Sequence, residues 1–293
     1  MSQLPTIAEQ CLALLKRLGL TAQRRVTVLV LTDGFSVVQL DNGALGVAMS
    51  YVRLPVLVRE HIESSLIAYT AEDPLLFGLL FNTPPDPERE MLYHSIRAAL
   101  LAALSEPVLC YSSQFGLMVE NGVPKSLLSE AQCAVVIGFG GLMMHMVGSS
   151  RLERLHVVDL TYPQRKREMS AVVDALRLAR PELTLTISDG TDLPKLVTKA
   201  DLIAITGSAL CNGTLDSLLA MSSNSQVIVQ GQSIAMHPGP LFDRGVIAVV
   251  TTRKPKQIVA AAQSDRSGVT LSRWLEGGLP FSTIRPLASS ESR

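Results

Sequence analysis

The 293-residue sequence has no excess of charge of either sign: 26 Lys and Arg stand against 26 Asp and Glu, a formal net charge of +0 at pH 7. No global field therefore draws in nucleic acid or an anionic membrane, and neither is expected as a partner. Aromatic residues are scarce at 4%, and there are four cysteines. Cys11, Cys110, Cys133 and Cys211 form no CxxC pair and have no histidine at zinc-ligand spacing, so reduced thiols are the simplest reading. No run approaches the ~20 apolar residues needed to cross a bilayer. The start, Met1-Ser2-Gln3-Leu4-Pro5, lacks the basic-then-apolar order of a secretory signal, so a cytoplasmic location is expected. The GxSxG elbow of α/β-hydrolases and the GxxxxGK[ST] loop of nucleotide triphosphatases are missing as well. His61, His94, His145, His156 and His237 make no HxxxH or HExxH pair, and no metal site is expected.

What the sequence does hold is apolar residues, 47% against 18% charged, enough for well-filled cores and for some apolar surface shared in a homodimer. Two domains are expected, over 1–106 and 107–293. Ile7, Cys11, Leu14, Leu15 and Leu18 recur at helical spacing, which predicts a helix over 6–19 ending at Gly19. Three β-prone runs, 26–31, 36–40 and 44–49, are separated by Thr32-Asp33-Gly34 and Asp41-Asn42-Gly43, the turn chemistry of an antiparallel meander. Helical stretches over 56–69, 73–81 and 87–104 complete a small α+β domain. The segment 107–132 shows no clear periodicity and is expected to bridge the domains. From 133 onward short β-rich runs at 133–137, 155–159, 183–187, 201–205, 226–230 and 246–250 alternate with helical segments. That alternation predicts a parallel sheet with crossover helices, a Rossmann-like α/β domain. The tail from Leu287 is expected to fray.

Three loops at the ends of those strands could carry chemistry. Gly138-Phe139-Gly140-Gly141 follows the first strand, and Asp159 ends the second, where a carboxylate can accept hydrogen bonds from a diol. A GxGxxG pattern would need glycine at 143, where Met143 stands, so a dinucleotide site is incomplete. The second loop, Thr206-Gly207-Ser208 to Asn212-Gly213-Thr214, offers hydroxyls, an amide and close backbone N–H groups, with Thr214 placed to cap the next helix. In a sheet of order 3-2-1-4-5-6 these two loops flank the switch point where ligands lie. The third, Gly231 to Phe242, includes Ser233 and His237. Each loop has a plainer reading as turn and cap chemistry.

In these stretches the chain resembles the putative heavy-metal-chelation domain family, proteins of unassigned activity that pair an enolase-amino-terminal-like domain with a Rossmann-like one. The residues that carry the resemblance are Ala200 to Ser208 with Asn212 to Asp216, supported by Gly138-Phe139-Gly140, Asp159 and Gly239 to Val246. It covers residues 107 to 265. The resemblance implies a cleft between the domains and a role in making or handling chelator-, pterin- or flavin-like small molecules. A ligand of this kind can arrive carrying its own metal.

The resulting expectation is a small-molecule site built from Gly138, Phe139, Gly140, Asp159, Thr206, Gly207, Ser208, Asn212, Thr214 and Ser233. No catalytic acid, base or nucleophile and no cofactor is assigned. The alternatives are an enzyme acting on such a metabolite, a carrier of a metal chelate without turnover, and a Rossmann-type oxidoreductase or methyltransferase using a nicotinamide or S-adenosylmethionine.

Overall fold

A computed structural model describes residues 5–67, 69–73, 76, 80, 86–277 and 279–287. The first helix, Ile7–Arg17, starts on a capping box in which the Thr6 hydroxyl oxygen accepts from the Glu9 N–H and the Glu9 carboxylate accepts from the Thr6 N–H. It buries Ile7, Cys11 and Leu15. Strands β1 (Val26–Leu31), β2 (Phe35–Leu40) and β3 (Leu45–Met49) form an antiparallel sheet in sequence order, as the two turns predict. Helices Val56–Leu66 and Pro87–Leu104 follow, the second capped by Asp86, whose side chain accepts from the Glu88 N–H. The stretch expected to be helical over 73–81 lies largely outside the described residues.

One face of the meander rests on helix Pro87–Leu104. The other is covered from far along the chain: Val30, Val37 and Val47 are buried against Ile258, Ala262 and Leu271, from helices Gln257–Ser264 and Val269–Gly277. The same return is tied by charge. Arg266 Nη1 and Nη2 donate to Glu63 Oε1 and Oε2 at 2.5 and 3.1 Å, and the buried Glu63 also accepts from the Leu31 N–H at 2.6 Å.

The second sheet has eight strands in the order β4-β11-β10-β9-β8-β5-β6-β7. They are β4 (Leu117–Asn121), β5 (Cys133–Ile137), β6 (Arg154–Val158), β7 (Thr184–Ser188), β8 (Leu202–Thr206), β9 (Gln226–Gln230), β10 (Val246–Thr252) and β11 (Phe281–Pro286). Strands β5 to β10 are parallel, and counted from β5 their order is 3-2-1-4-5-6, as expected from the alternation. The fold is thus a Rossmann-like sheet preceded by a smaller antiparallel one. Two strands depart from the sequence reading. The segment 107–132, expected as an irregular bridge, supplies β4, and β11 pairs antiparallel with both β10 and β4. Each is a five- or six-residue strand whose pairing lies far away in sequence, so no local hairpin signal announces it.

Along each parallel strand alternate residues serve two cores. Ala134, Val136, Leu202, Ala204, Ile228 and Val250 meet the helix side, with Leu142, Met143, Met146 and Val173. Ile203, Ile205, Val227, Val229 and Val249 meet the amino-terminal lobe, in one apolar cluster that also contains Ile7, Leu15 and Leu100. The two lobes therefore share a core. No helix among the described residues is long and apolar enough to cross a membrane.

Candidate functional site

The loops predicted to converge do so at the carboxyl edge of the parallel strands, but they are held by one another. Gly138 has φ +89, and its N–H donates to Val158 O at 2.7 Å. A Cβ at 138 would lie 2.0 Å from Thr206 Oγ1, and one at Gly140 would lie 2.7 Å from Gln230 Nε2, so only glycine lets the loop sit down on β8 and β9. Two side chains clasp it there. Asp159 Oδ2 accepts from the Phe139 N–H at 2.9 Å, and Gln230 Oε1 accepts from the Leu142 N–H at 2.9 Å. Asp159 Oδ1 takes the Thr161 N–H and hydroxyl at 2.8 and 2.6 Å. A carboxylate offers about four lone-pair positions, so Asp159 keeps room for one more donor. Neither the Gly140 nor the Gly141 N–H has a hydrogen-bond partner among the described residues.

The second loop meets the first through Thr206, whose hydroxyl pairs with that of Ser208 at 2.7 Å, while the Gly207 N–H donates to Gln230 O at 2.5 Å. From the amino-terminal lobe Tyr51, following β3, brings its ring over this edge. Burial raises its phenol above the ordinary tyrosine value, the nearby Ser208 side chain offsets this in part, and Cys211 and Asp159 raise it further. Gly138, Phe139, Gly140, Asp159, Thr206, Gly207, Ser208 and Tyr51 therefore gather at one end of the sheet, the mouth between the lobes, where Phe139 is half-buried and Tyr51 and Leu160 are exposed.

The other predicted residues take different places. Asn212 Oδ1 accepts from the Thr214 N–H and hydroxyl at 3.2 and 2.7 Å, so the Thr214 side chain closes its own turn and leaves the next helix without a side-chain cap. Gly213 between them abuts the His94 ring, so this turn seats on helix Pro87–Leu104. Asp216, in the first turn of that helix, accepts from the Ile7 N–H at 3.1 Å and pairs with Arg244. Ser233 is buried and its Oγ accepts from the Met49 N–H at 2.9 Å, joining the lobes. His237 is buried too. Its N–H donates to Ser105 Oγ at 2.8 Å, its Nδ1 accepts from the Gly239 N–H at 3.1 Å, and burial lowers its pKa to about 4.

Tyr51 and Gln230 were not among the residues picked out from the sequence. Gln230 carried a signal, a polar side chain closing the buried run Val227-Ile228-Val229 at a carboxyl end. Tyr51 carried none, because its role exists only through the contact between lobes.

Among the described residues no three His, Cys, Asp or Glu side chains come together as a metal would require. Burial pushes the Cys11 and Cys211 thiols up to about 12, so both stay protonated at neutral pH and are poor ligands for a soft metal. The described residues do not fit a heavy metal held directly by the protein.

Fold and edge geometry together define a Rossmann-like protein with an added amino-terminal lobe roofing its switch point. Residues 127–269 match the family model DUF364, described as putative heavy-metal chelation. Two crystal structures of DUF364 proteins of unknown function share the fold. One, from Desulfitobacterium hafniense, aligns with TM-score 0.62 at 14% identity over 95% of this chain and 98% of its own. Another, from Pyrococcus horikoshii, aligns with TM-score 0.61 at 13% identity over 95% and 99%. A comparison with curated proteins finds no match.

Proposed function

We propose that the protein binds a small, polar, conjugated metabolite of the chelator, pterin or flavin type at the mouth between Tyr51 and the Gly138–Gly141 loop. The observation that carries this reading is the convergence of the Gly138–Gly141 loop, Asp159 and the Thr206–Ser208 turn at one edge of the sheet, with Tyr51 near them from the other lobe. A planar ring stacks on Tyr51 and Phe139, accepts from the Gly140 and Gly141 N–H groups, and donates to Asp159. Because the described residues offer no chelating set, any metal arrives on the ligand.

Whether the bound molecule is also transformed is decided by the same mouth. One observation favours a carrier: the hydroxyls of Thr206 and Ser208 pair with each other, and Asp159 is spent largely on the loop and Thr161. The hydroxyls are thus engaged with each other, while Asp159 and the Gly140 and Gly141 N–H groups keep capacity for recognition.

The test is thermal unfolding with riboflavin, neopterin and 2,3-dihydroxybenzoate, each alone and with ferric ion, followed by mass spectrometry of the recovered compound. A probe at about a hundred times its dissociation constant adds ~2.7 kcal/mol of stability. Unaltered recovery of a stabilising probe supports the carrier, and a mass change supports an enzyme. No shift with any probe contradicts the reading.

A further inference from the structure

The sheet's carboxyl edge continues past the parallel strands, and there the two unpredicted strands build a second hollow. Register places Phe281 beside Thr252 and Asn121 beside Ser282, so β11 and β4 bring their residues to the edge where β10 ends and Arg253 begins the next turn. The chain between the lobes closes the far side with Leu109, Cys110 and Ser112. The cavity has a volume of about 400 Å³, within the range of small-ligand pockets.

Its lining has one sign. Among the described residues Arg253 is the only charged one around it, and the other polar groups are Ser112, Asn121, Ser282 and the Cys110 thiol. Arg253 is exposed and makes no hydrogen bond or ion pair among the described residues. Phe281 supplies an aromatic wall, braced on its other side by the His145 ring at 5.5 Å in an edge-to-face contact. A guanidinium fork without a carboxylate partner, hydroxyl and amide groups, and an aromatic wall complement a small aromatic carboxylate: the charged head pairs with Arg253 and the ring lies against Phe281.

We infer that this hollow is a second binding site, for a small aromatic or similarly flat monocarboxylate, separate from the mouth at Tyr51 and Asp159. It shares no lining residue with that mouth, so either site stands if the other fails.

Cys110 reports on it directly, since it is the exposed cysteine in the wall while Cys11, Cys133 and Cys211 are buried. The experiment follows alkylation of Cys110 by the neutral reagent iodoacetamide, quantified on its peptide by mass spectrometry, with benzoate, neutral benzamide or inorganic phosphate added at constant ionic strength. Benzoate at about ten times its dissociation constant is expected to slow the reaction about ten-fold by mass action. Benzamide should give little protection, and Arg253→Gln should abolish protection by benzoate while leaving the unprotected rate and the melting temperature unchanged. Phosphate protecting as well as benzoate would reduce the site to a simple anion hole and overturn the aromatic assignment. Equal protection by benzamide, protection that survives Arg253→Gln, or no protection by any probe would overturn the site itself.

Discussion

Gly138 and Thr206 stand so close that the Cβ the glycine lacks would lie 2.0 Å from the threonine hydroxyl. This contact seats the first loop on the end of β8 and sets the depth of the mouth that Tyr51 overhangs. Gly138→Ala meets both a steric clash and an unfavourable φ of +89, so the loop must lift. We expect it to cost about 2 kcal/mol or more in urea unfolding. In a Thr206→Ser background, which removes a methyl but keeps the clashing hydroxyl, most of that cost should persist, whereas Thr206→Ala should relieve part of it. Gly138→Ala with wild-type stability would show that the loop is not seated as described.

The pair Glu63–Arg266 fastens the returning carboxyl-terminal helices to the meander. Glu63 is buried, so removing its partner leaves a desolvated carboxylate held only by the Leu31 N–H. Arg266 is itself 40% exposed, which softens the loss, and Arg266→Ala should destabilise by about 2 kcal/mol. Proteolysis should then cut first near helices Gln257–Ser264 and Val269–Gly277. An unchanged proteolytic pattern would mean that the apolar contacts of Ile258, Ala262 and Leu271 suffice without the ion pair.

Two histidines, His237 buried and His94 half-buried, give the fold an acid limit. Burial lowers His94 and His237 to about 4, with Arg97 and Arg17 respectively adding to the effect. Unfolded histidine titrates near 6.5, so the unfolded chain binds these protons first as pH falls. Stability from both sites is complete above pH 6.5 and is lost as pH drops toward 4. Each site contributes up to about 3 kcal/mol. Urea midpoints measured from pH 7 to 5 should fall, and His94→Asn should flatten the slope. A flat wild-type profile over that range would contradict the burial of both rings.

Lys254 works in the opposite sense. Burial lowers its ammonium to about 8, only partly offset by Glu106. Between pH 8 and 10.5 the unfolded chain holds the proton more tightly than the folded one, so this residue's cost is full below pH 8 and disappears as pH rises to 10.5. Lys254→Met should therefore stabilise the protein at pH 7 by an amount on the order of 3 kcal/mol, and the advantage should vanish near pH 10.5. Equal stabilities at pH 7 would show that the ammonium is well solvated.

Much of this architecture could be read from residue order, and the reasons for the gaps are physical. The six parallel strands announce themselves because runs such as Cys133–Ile137 and Leu202–Thr206 are buried on both faces and so are apolar throughout. The glycine loop and Asp159 were legible as turn chemistry at strand ends. What those residues do to each other was not: Asp159 clasping the Phe139 N–H is a contact across the sheet edge. Asn212 and Thr214 were polar in a loop, but their hydrogen bonds close locally, the outcome such side chains commonly adopt. The pairing of β4 with β11 and the contacts of the returning helices join residues more than a hundred positions apart, beyond any periodicity.

The account rests most heavily on the mouth shared by Tyr51 and Ser208. The most direct measurement is calorimetric titration of the best-binding probe into the wild-type protein and the Tyr51→Leu variant, which removes the ring on which the ligand stacks and leaves the Asp159 and Gln230 clasps intact. A lost aromatic stacking partner costs about 1 kcal/mol or more, so affinity should fall about five-fold or more, with melting temperature nearly unchanged. Equal affinity in the two proteins would contradict the site.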